Sequence, residues 1–196
     1  MAPLVEWDVA ARSIDGESGD QYFVREAVDS VLVAVADGLG HGPAAAAAAR
    51  TALAALGEGG PADLGALVTR CHESLRGTRG AVLSVAAFAV GSVTWLGVGN
   101  VDGVLVRAGS RIAEPLLVRS GVLGGQLPSL EVTRCAVARG DTLIVSTDGI
   151  DARFAETRAA TLDAPANAKR ILVDYGKATD DALVMVVRYV GPEAVA

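Results

Sequence analysis

The chain has 196 residues, 51% of them apolar and 4% aromatic, with a net charge of −6. That length suits a single domain over residues 1–196 with room for a substantial core. The acidic balance disfavours nonspecific binding to nucleic acid, which needs basic patches, and no apolar run reaches the ~20 residues of a membrane helix.

Residues 4–11 alternate weakly and predict an opening strand. Residues 13–20 are polar and carry glycine, so they predict a loop. Short and long strands follow over 21–25 and 30–36, the second uniformly apolar. A helix is predicted over 43–56, with Pro43 in its first turn, where a missing N–H costs nothing, and Gly57 at its end. A second helix over 63–75 lines Leu64, Leu67, Val68, Cys71 and Leu75 along one face. Cys71 and Cys135 form no metal-type pair and read as reduced, mostly buried thiols.

The middle of the chain changes character. Strands are predicted over 82–90, 92–97 and 101–108, separated by tight glycine turns, then over 116–119, 131–137 and 141–146. Connections this short imply antiparallel neighbours, because a parallel crossover needs about a dozen residues. A helix over 164–175 and a strand over 182–189 complete the pattern. The class is α+β: sheets packed on each other with helices outside. Residues 1–12 lack the basic and apolar regions of a signal peptide, and a cytoplasmic protein is expected.

Carboxylates recur at the edges of apolar strands. Asp37 ends Val31-Leu32-Val33-Ala34-Val35-Ala36 and opens the glycine loop Gly38-Leu39-Gly40-His41-Gly42. Asp148 ends Leu143-Ile144-Val145-Ser146-Thr147, and Asp180-Asp181 precedes Ala182-Leu183-Val184-Met185-Val186-Val187. If the final strand runs antiparallel to the other two, Asp37, Asp148 and Asp180 reach the same edge of the sheet. Crowded carboxylates repel unless a cation neutralises them. With no histidine or cysteine cluster, the donor set is oxygen only, which favours Mg²⁺ or Mn²⁺ over Zn²⁺. Gly38 lacks a side chain, so its carbonyl could approach a metal or its water. Any one Asp before Gly is commonly a turn residue, and Asp20 taken alone reads as one. Asp181 should face away from Asp180. His41 either touches substrate or metal-bound water or is a loop residue bonded to backbone. His72, on a helix, reads as structural or exposed.

Two rivals fail on spacing. The strand, glycine loop and helix around Asp37 are not G-x-G-x-x-G, and Asp37 would set a negative charge beside a pyrophosphate. Ser146 lies inside a strand without a nucleophile-elbow sequence, so a serine hydrolase is not supported.

The same stretches resemble the metal-dependent serine/threonine protein phosphatases of the 2C type, in their bacterial SpoIIE-like branch. Six segments match in order: Ser18-Gly19-Asp20, Asp37-Gly38-Leu39-Gly40-His41-Gly42, Gly97-Val98-Gly99-Asn100 with its following hairpin, Leu123-Gly124-Gly125 with Pro128, Ser146-Thr147-Asp148-Gly149-Ile150, and Thr179-Asp180-Asp181. The resemblance implies two antiparallel sheets packed as a sandwich flanked by helices (αββα) and a site holding two Mn²⁺ or Mg²⁺ ions. In it Asp37 bridges both ions, Gly38 offers its carbonyl, Asp148 and Asp180 hold the second ion, and Asp20 orients water. Leu183 departs from the Thr or Ser the family usually has there, a packing change. No arginine is assignable to the substrate phosphate, as is general in this branch.

The resemblance is strongest to the small stand-alone stressosome phosphatases. That implies phosphorylated STAS-domain scaffold proteins as partners, with no nucleic acid and no membrane. The alternatives are an activator-type phosphatase of an anti-sigma-factor antagonist, and a noncatalytic pseudophosphatase that only binds.

Overall fold

Every second residue of the uniformly apolar strands has a different partner layer, which is why neither face can be polar. The computed structural model describes residues 3–14, 16–57, 63–110, 113–156 and 164–192. In chain order these form β1 (Val5–Arg12), β2 (Asp20–Glu26), β3 (Val31–Gly38), α1 (Pro43–Gly57), α2 (Leu64–Ser74), β4 (Ala81–Ala89), β5 (Ser92–Val98), β6 (Asp102–Val106), β7 (Ala113–Pro115), β8 (Val118–Arg119), β9 (Thr133–Ala136), β10 (Thr142–Ser146), α3 (Ala164–Tyr175) and β11 (Ala182–Tyr189). One sheet has the order β1-β11-β10-β6-β7, and the other β2-β3-β4-β5-β8 with β9 also on β5.

Val33 and Val35 of β3 point between the sheets, where they join Phe88, Trp95, Leu105, Leu143, Val145, Leu183, Met185 and Val187. Leu32, Ala34 and Ala36 of the same strand point outward onto α1 and α2, against Ala48, Ala49, Ala52, Leu67 and Val68. On the far side Ile144, Val184 and Val186 pack against Ala168 and Ile171 of α3. The alanine run of α1 lets this helix lie close on a strand face that is itself alanine-rich. Asp63 caps α2, its carboxylate accepting the Ala66 N–H at 2.9 Å.

The predicted sandwich is therefore present, with two corrections. β5 and β6 are not hairpin neighbours; they belong to opposite sheets. The link between them turns at Gly99, whose φ is +102° and whose Cβ, if present, would lie 2.1 Å from Val82 Cγ1. Val101 is buried and its carbonyl accepts a bond from Ser84 Oγ at 2.6 Å, which fixes the corner between sheets. The second correction is that not all pairs are antiparallel: β8 runs parallel to β5, Gly97 opposite Val118. The predicted strand over 116–119 shrinks to β8, and β7 and a 3-10 helix over Ala152–Glu156 were not foreseen.

Both thiols are free, Cys71 buried and Cys135 only half-buried. Cys71 Sγ faces the Ala52 carbonyl at 3.2 Å, and burial pushes its pKa up to about 12. Among the described residues no helix is long and apolar enough to cross a membrane.

Candidate metal centre

Asp20 opens β2 and Asp37 lies near the end of β3, and the register sets them directly opposite each other. Like charges so placed are unfavourable in a sheet unless something else holds them. Asp148 follows β10, and Asp180 and Asp181 precede β11; these two strands pair antiparallel, Ser146 opposite Val184. The expectation of one sheet edge is thus corrected: β3 belongs to one sheet, β10 and β11 to the other. The acids meet at a shared end of the sandwich.

Thr147 joins the halves. Its hydroxyl donates to Asp20 Oδ2 at 2.7 Å and accepts the Leu183 N–H at 3.0 Å, while its own N–H bonds the Leu183 carbonyl at 3.0 Å. Leu183, the departure from the family pattern, serves this join through its backbone, and its side chain is buried between the sheets.

The glycines after Asp37 and Asp148 are required by contact. A Cβ on Gly149 would lie 1.8 Å from the Asp181 carbonyl oxygen, and one on Gly38 would lie 1.9 Å from the Ala45 carbonyl oxygen. Gly149 lets the Asp148 turn touch the Asp180-Asp181 turn. Gly38 lets α1 begin directly against the end of β3.

Asp181 has its own work, as its separation from Asp180 suggested. Its Oδ1 accepts from Ser13 Oγ at 3.1 Å and the Ile14 N–H at 2.9 Å, and its Oδ2 accepts the Gly19 N–H at 2.9 Å. Burial alone would raise this carboxyl, but the bonds from Ile14, Gly19, Ser13 and Ser18 hold it below the usual range. The loop before Asp20 is thereby pinned. Asp148 is likewise held: Asn100 Nδ2 donates to its Oδ2 at 2.7 Å, and Lys177 Nζ donates to its carbonyl.

The electrostatics are lopsided. Burial pushes Asp37 up to about 8, with Asp20, Asp148, Asp180 and Asp181 adding repulsion. Burial also raises Asp20 to about 7, opposed by the Thr147 bond and reinforced by Asp181, Asp148 and Asp180. Asp102, beside Asp148, is raised by burial and then by that neighbour.

Such a set of oxygen donors, penalised for being anionic together, fits a divalent cation. Among the described residues no three acidic, imidazole or thiol side chains close on a single point. Mg²⁺ does not need such a cluster, because it commonly keeps several waters and takes only one or two carboxylates from the protein.

The remaining candidates separate cleanly. His41 is exposed on the glycine loop. His72 is buried in α2, its Nδ1 accepting the Gly124 N–H at 3.1 Å, so it is structural. Ser146 is buried within β10. Sequence reasoning quoted Thr147 and Asn100 within matched segments without giving either a role, and it passed over Lys177 and Asp102.

Comparison with known proteins agrees with this arrangement. The family model for stage II sporulation protein E (SpoIIE) matches residues 27–190. Phosphoserine phosphatase RsbX of Bacillus subtilis (strain 168) is 27% identical over 135 residues, 68% of this chain and 67% of its own. A chain solved in work described as "The bacterial stressosome: a modular system that has been adapted to control secondary messenger signaling" is 31% identical, with a TM-score of 0.86 over 94% of this chain and 99% of its own. RsbX solved in complex with magnesium matches with a TM-score of 0.83 at 21% identity, over 94% of this chain and 95% of that one. Taken with the strand-end acids and the two-sheet sandwich, these matches mean that the chain belongs to the SpoIIE family of PP2C-type serine/threonine protein phosphatases.

Proposed function

We propose that this phosphatase removes phosphate from serine and threonine of STAS-domain proteins in a stressosome pathway of the cytoplasm, with two Mn²⁺ or Mg²⁺ ions at the acidic end of the sandwich. The observation that carries the reading is the meeting of Asp20 and Asp37 from one sheet with Asp148 and Asp180 from the other, tied by the Thr147–Asp20 bond. The likeness to RsbX and to a chain of the stressosome work supports a scaffold protein as substrate rather than an anti-sigma-factor antagonist.

Asp37 and the Gly38 carbonyl on one sheet, with Asp148 and Asp180 on the other, would hold the ions. Bound divalent ions neutralise charge on phosphoryl oxygens and acidify water. Asp20, held by Thr147, would orient the attacking water. Attack is in line on phosphorus, and no side chain of the site is placed as a covalent nucleophile: Ser146 is buried in its strand and Thr147 is engaged on both sides.

The test is phosphate release from a phosphorylated STAS-domain protein, with Mn²⁺ and then EDTA, for the native chain and Asp37→Ala. Release that needs both the metal and Asp37 is expected. Full activity in EDTA would overturn the metal reading. Binding of the phosphoprotein with no release under saturating metal would leave a pseudophosphatase.

A further inference from the structure

The sequence offers no obvious arginine for the substrate phosphate, yet the fold sets one against the metal loop. Arg79 lies in the turn between α2 and β4, and its Nη1 sits 2.7 Å from where a Cβ on Gly40 would be. Gly40 has a φ of +88°, so the absence of a side chain serves both the turn and the guanidinium resting on it.

The backbone that carries Arg79 is tied down on both sides. The Thr78 N–H and hydroxyl both donate to the Leu75 carbonyl, at 3.0 and 2.6 Å, and the Thr78 hydroxyl accepts the Gly80 N–H at 3.1 Å. The Gly80 carbonyl then accepts the Leu39 N–H, within the Asp37–Gly42 loop itself, at 3.1 Å. Arg79 therefore moves with the loop that follows Asp37.

Its charge is unspent. Among the described residues Arg50 pairs with Glu17, Arg107 with Glu114 and Asp141, Arg119 with Glu131, Arg153 with Asp151 and Arg170 with Asp174. Arg79 is in no ion pair among those residues, although several carboxylates stand at the same end of the molecule. It is exposed and edges an open groove of about 530 Å³, walled by small residues of α1 (Ala44, Ala47, Thr51) and by Gly77 and Thr78. An exposed guanidinium on a tethered backbone, resting on Gly40 beside the Asp37 loop and in no ion pair, is suited to a phosphate, which it can grip with two parallel N–H bonds.

We propose that Arg79 binds the phosphoryl oxygens of the substrate, entering from the groove between α1 and the α2–β4 turn. This assignment rests on the phosphatase reading above. It brings a positive charge to the Asp37–Gly42 side of the acidic site, opposite the Lys177 ammonium bonded at Asp148, and it would act on binding rather than on holding the metal.

The experiment uses the full chain loaded with Mn²⁺ and two probes, inorganic phosphate and a small aryl phosphate. Arg79→Ala should weaken calorimetric binding of inorganic phosphate, and raise KM for the aryl phosphate, by about tenfold, the usual scale of one charge-assisted contact. Arg79→Lys should restore only part of the loss, because a lysine keeps the charge but not the fork. Arg76→Ala, on the same turn, should change neither constant, and Mn²⁺ affinity and melting temperature should hold in all three variants. Phosphate affinity within twofold of native in Arg79→Ala would overturn the proposal, as would parallel losses of Mn²⁺ binding and stability, which would mark Arg79 as structural. No turnover by the native chain defeats the phosphatase reading instead; phosphate binding that depends on Arg79 would still stand.

Discussion

The two halves of the acidic site are built differently. Asp20 and Asp37 sit on strands, one buried and one half-buried, held opposite each other by sheet register. Asp148 and Asp180 sit on turns and are exposed, positioned by glycine contact and by bonds from Asn100 and Lys177. The strand half carries an electrostatic strain that the fold tolerates because the register cannot slip without turning the core face outward. The turn half carries little burial and depends on close backbone approach. One half is thus rigid and in need of a counter-charge; the other is placed by contacts that a single methyl group would disturb.

The largest test of this contrast is an isosteric swap in each half. Asp37→Asn should cut phosphate release by about 10³-fold, roughly 4 kcal/mol of barrier. It should also raise the melting temperature of EDTA-treated protein, because it deletes a charge that burial and neighbouring acids oppose. Asp148→Asn, at an exposed site, should also lose activity yet leave that temperature within about 2 °C. Equal stabilisation by both swaps would erase the distinction.

Next in size is the contact itself. Gly149→Ala drives a methyl into the Asp181 carbonyl and should cost about 1–3 kcal/mol in urea unfolding, with weaker Mn²⁺ binding. A variant as stable as the native protein would show that the turns move apart without penalty.

The pH dependence follows from the strand half. Asp20 and Asp37 titrate near 7 and 8 in the folded protein but near 3.8 in the unfolded chain. Between about pH 4 and pH 8 the folded state without metal therefore binds more protons, and its stability falls as pH rises. Melting of EDTA-treated protein should drop across that window, Mn²⁺ should add more at pH 8 than at pH 5, and Asp37→Asn should flatten the slope.

The smallest effect is at the join. Thr147→Val removes the bond to Asp20 and should cost about 1 kcal/mol of stability and roughly tenfold in kcat, with Thr147→Ser restoring both. Rescue by serine separates the hydroxyl from mere packing.

Much of the architecture was legible because the core strands are long apolar runs and the helices have clear faces. β3, β4, β11, α1 and α3 match the predicted ranges within one or two residues. The β5–β6 corner was not legible: a three-residue link serves a hairpin or a change of sheet, and strands apolar on both faces give alternation nothing to choose by. The parallel β8 escaped for a related reason, since a two-residue strand reached by a two-residue link from β7 in the other sheet takes its partner from that crossing, not from its own pattern. Within the site, the acids at strand ends stood out, but Asp20 by itself looked like any turn residue. Its opposition to Asp37 is a matter of register, and its bond to Thr147 crosses between sheets, so neither leaves a local mark. Gly149 was visible as a glycine, but its reason, the Asp181 carbonyl 1.8 Å from a would-be Cβ, is tertiary.

The position of β11 in its sheet has a consequence for biosynthesis. It is the last strand in chain order yet lies between β1 and β10, and β1 has no other strand partner among the described residues. A ribosome therefore releases β1 long before anything can cover its edge, and Asp180 emerges after every other acid of the site. Until β11 inserts, β1 is separated from the β10-β6-β7 part of its sheet and Thr147 has no Leu183 to bond. A chain cut short before this strand could still set Asp20 opposite Asp37 on β2 and β3, but would lack Asp180 and the Leu183 backbone that seats Thr147 and the Asp148 turn against them.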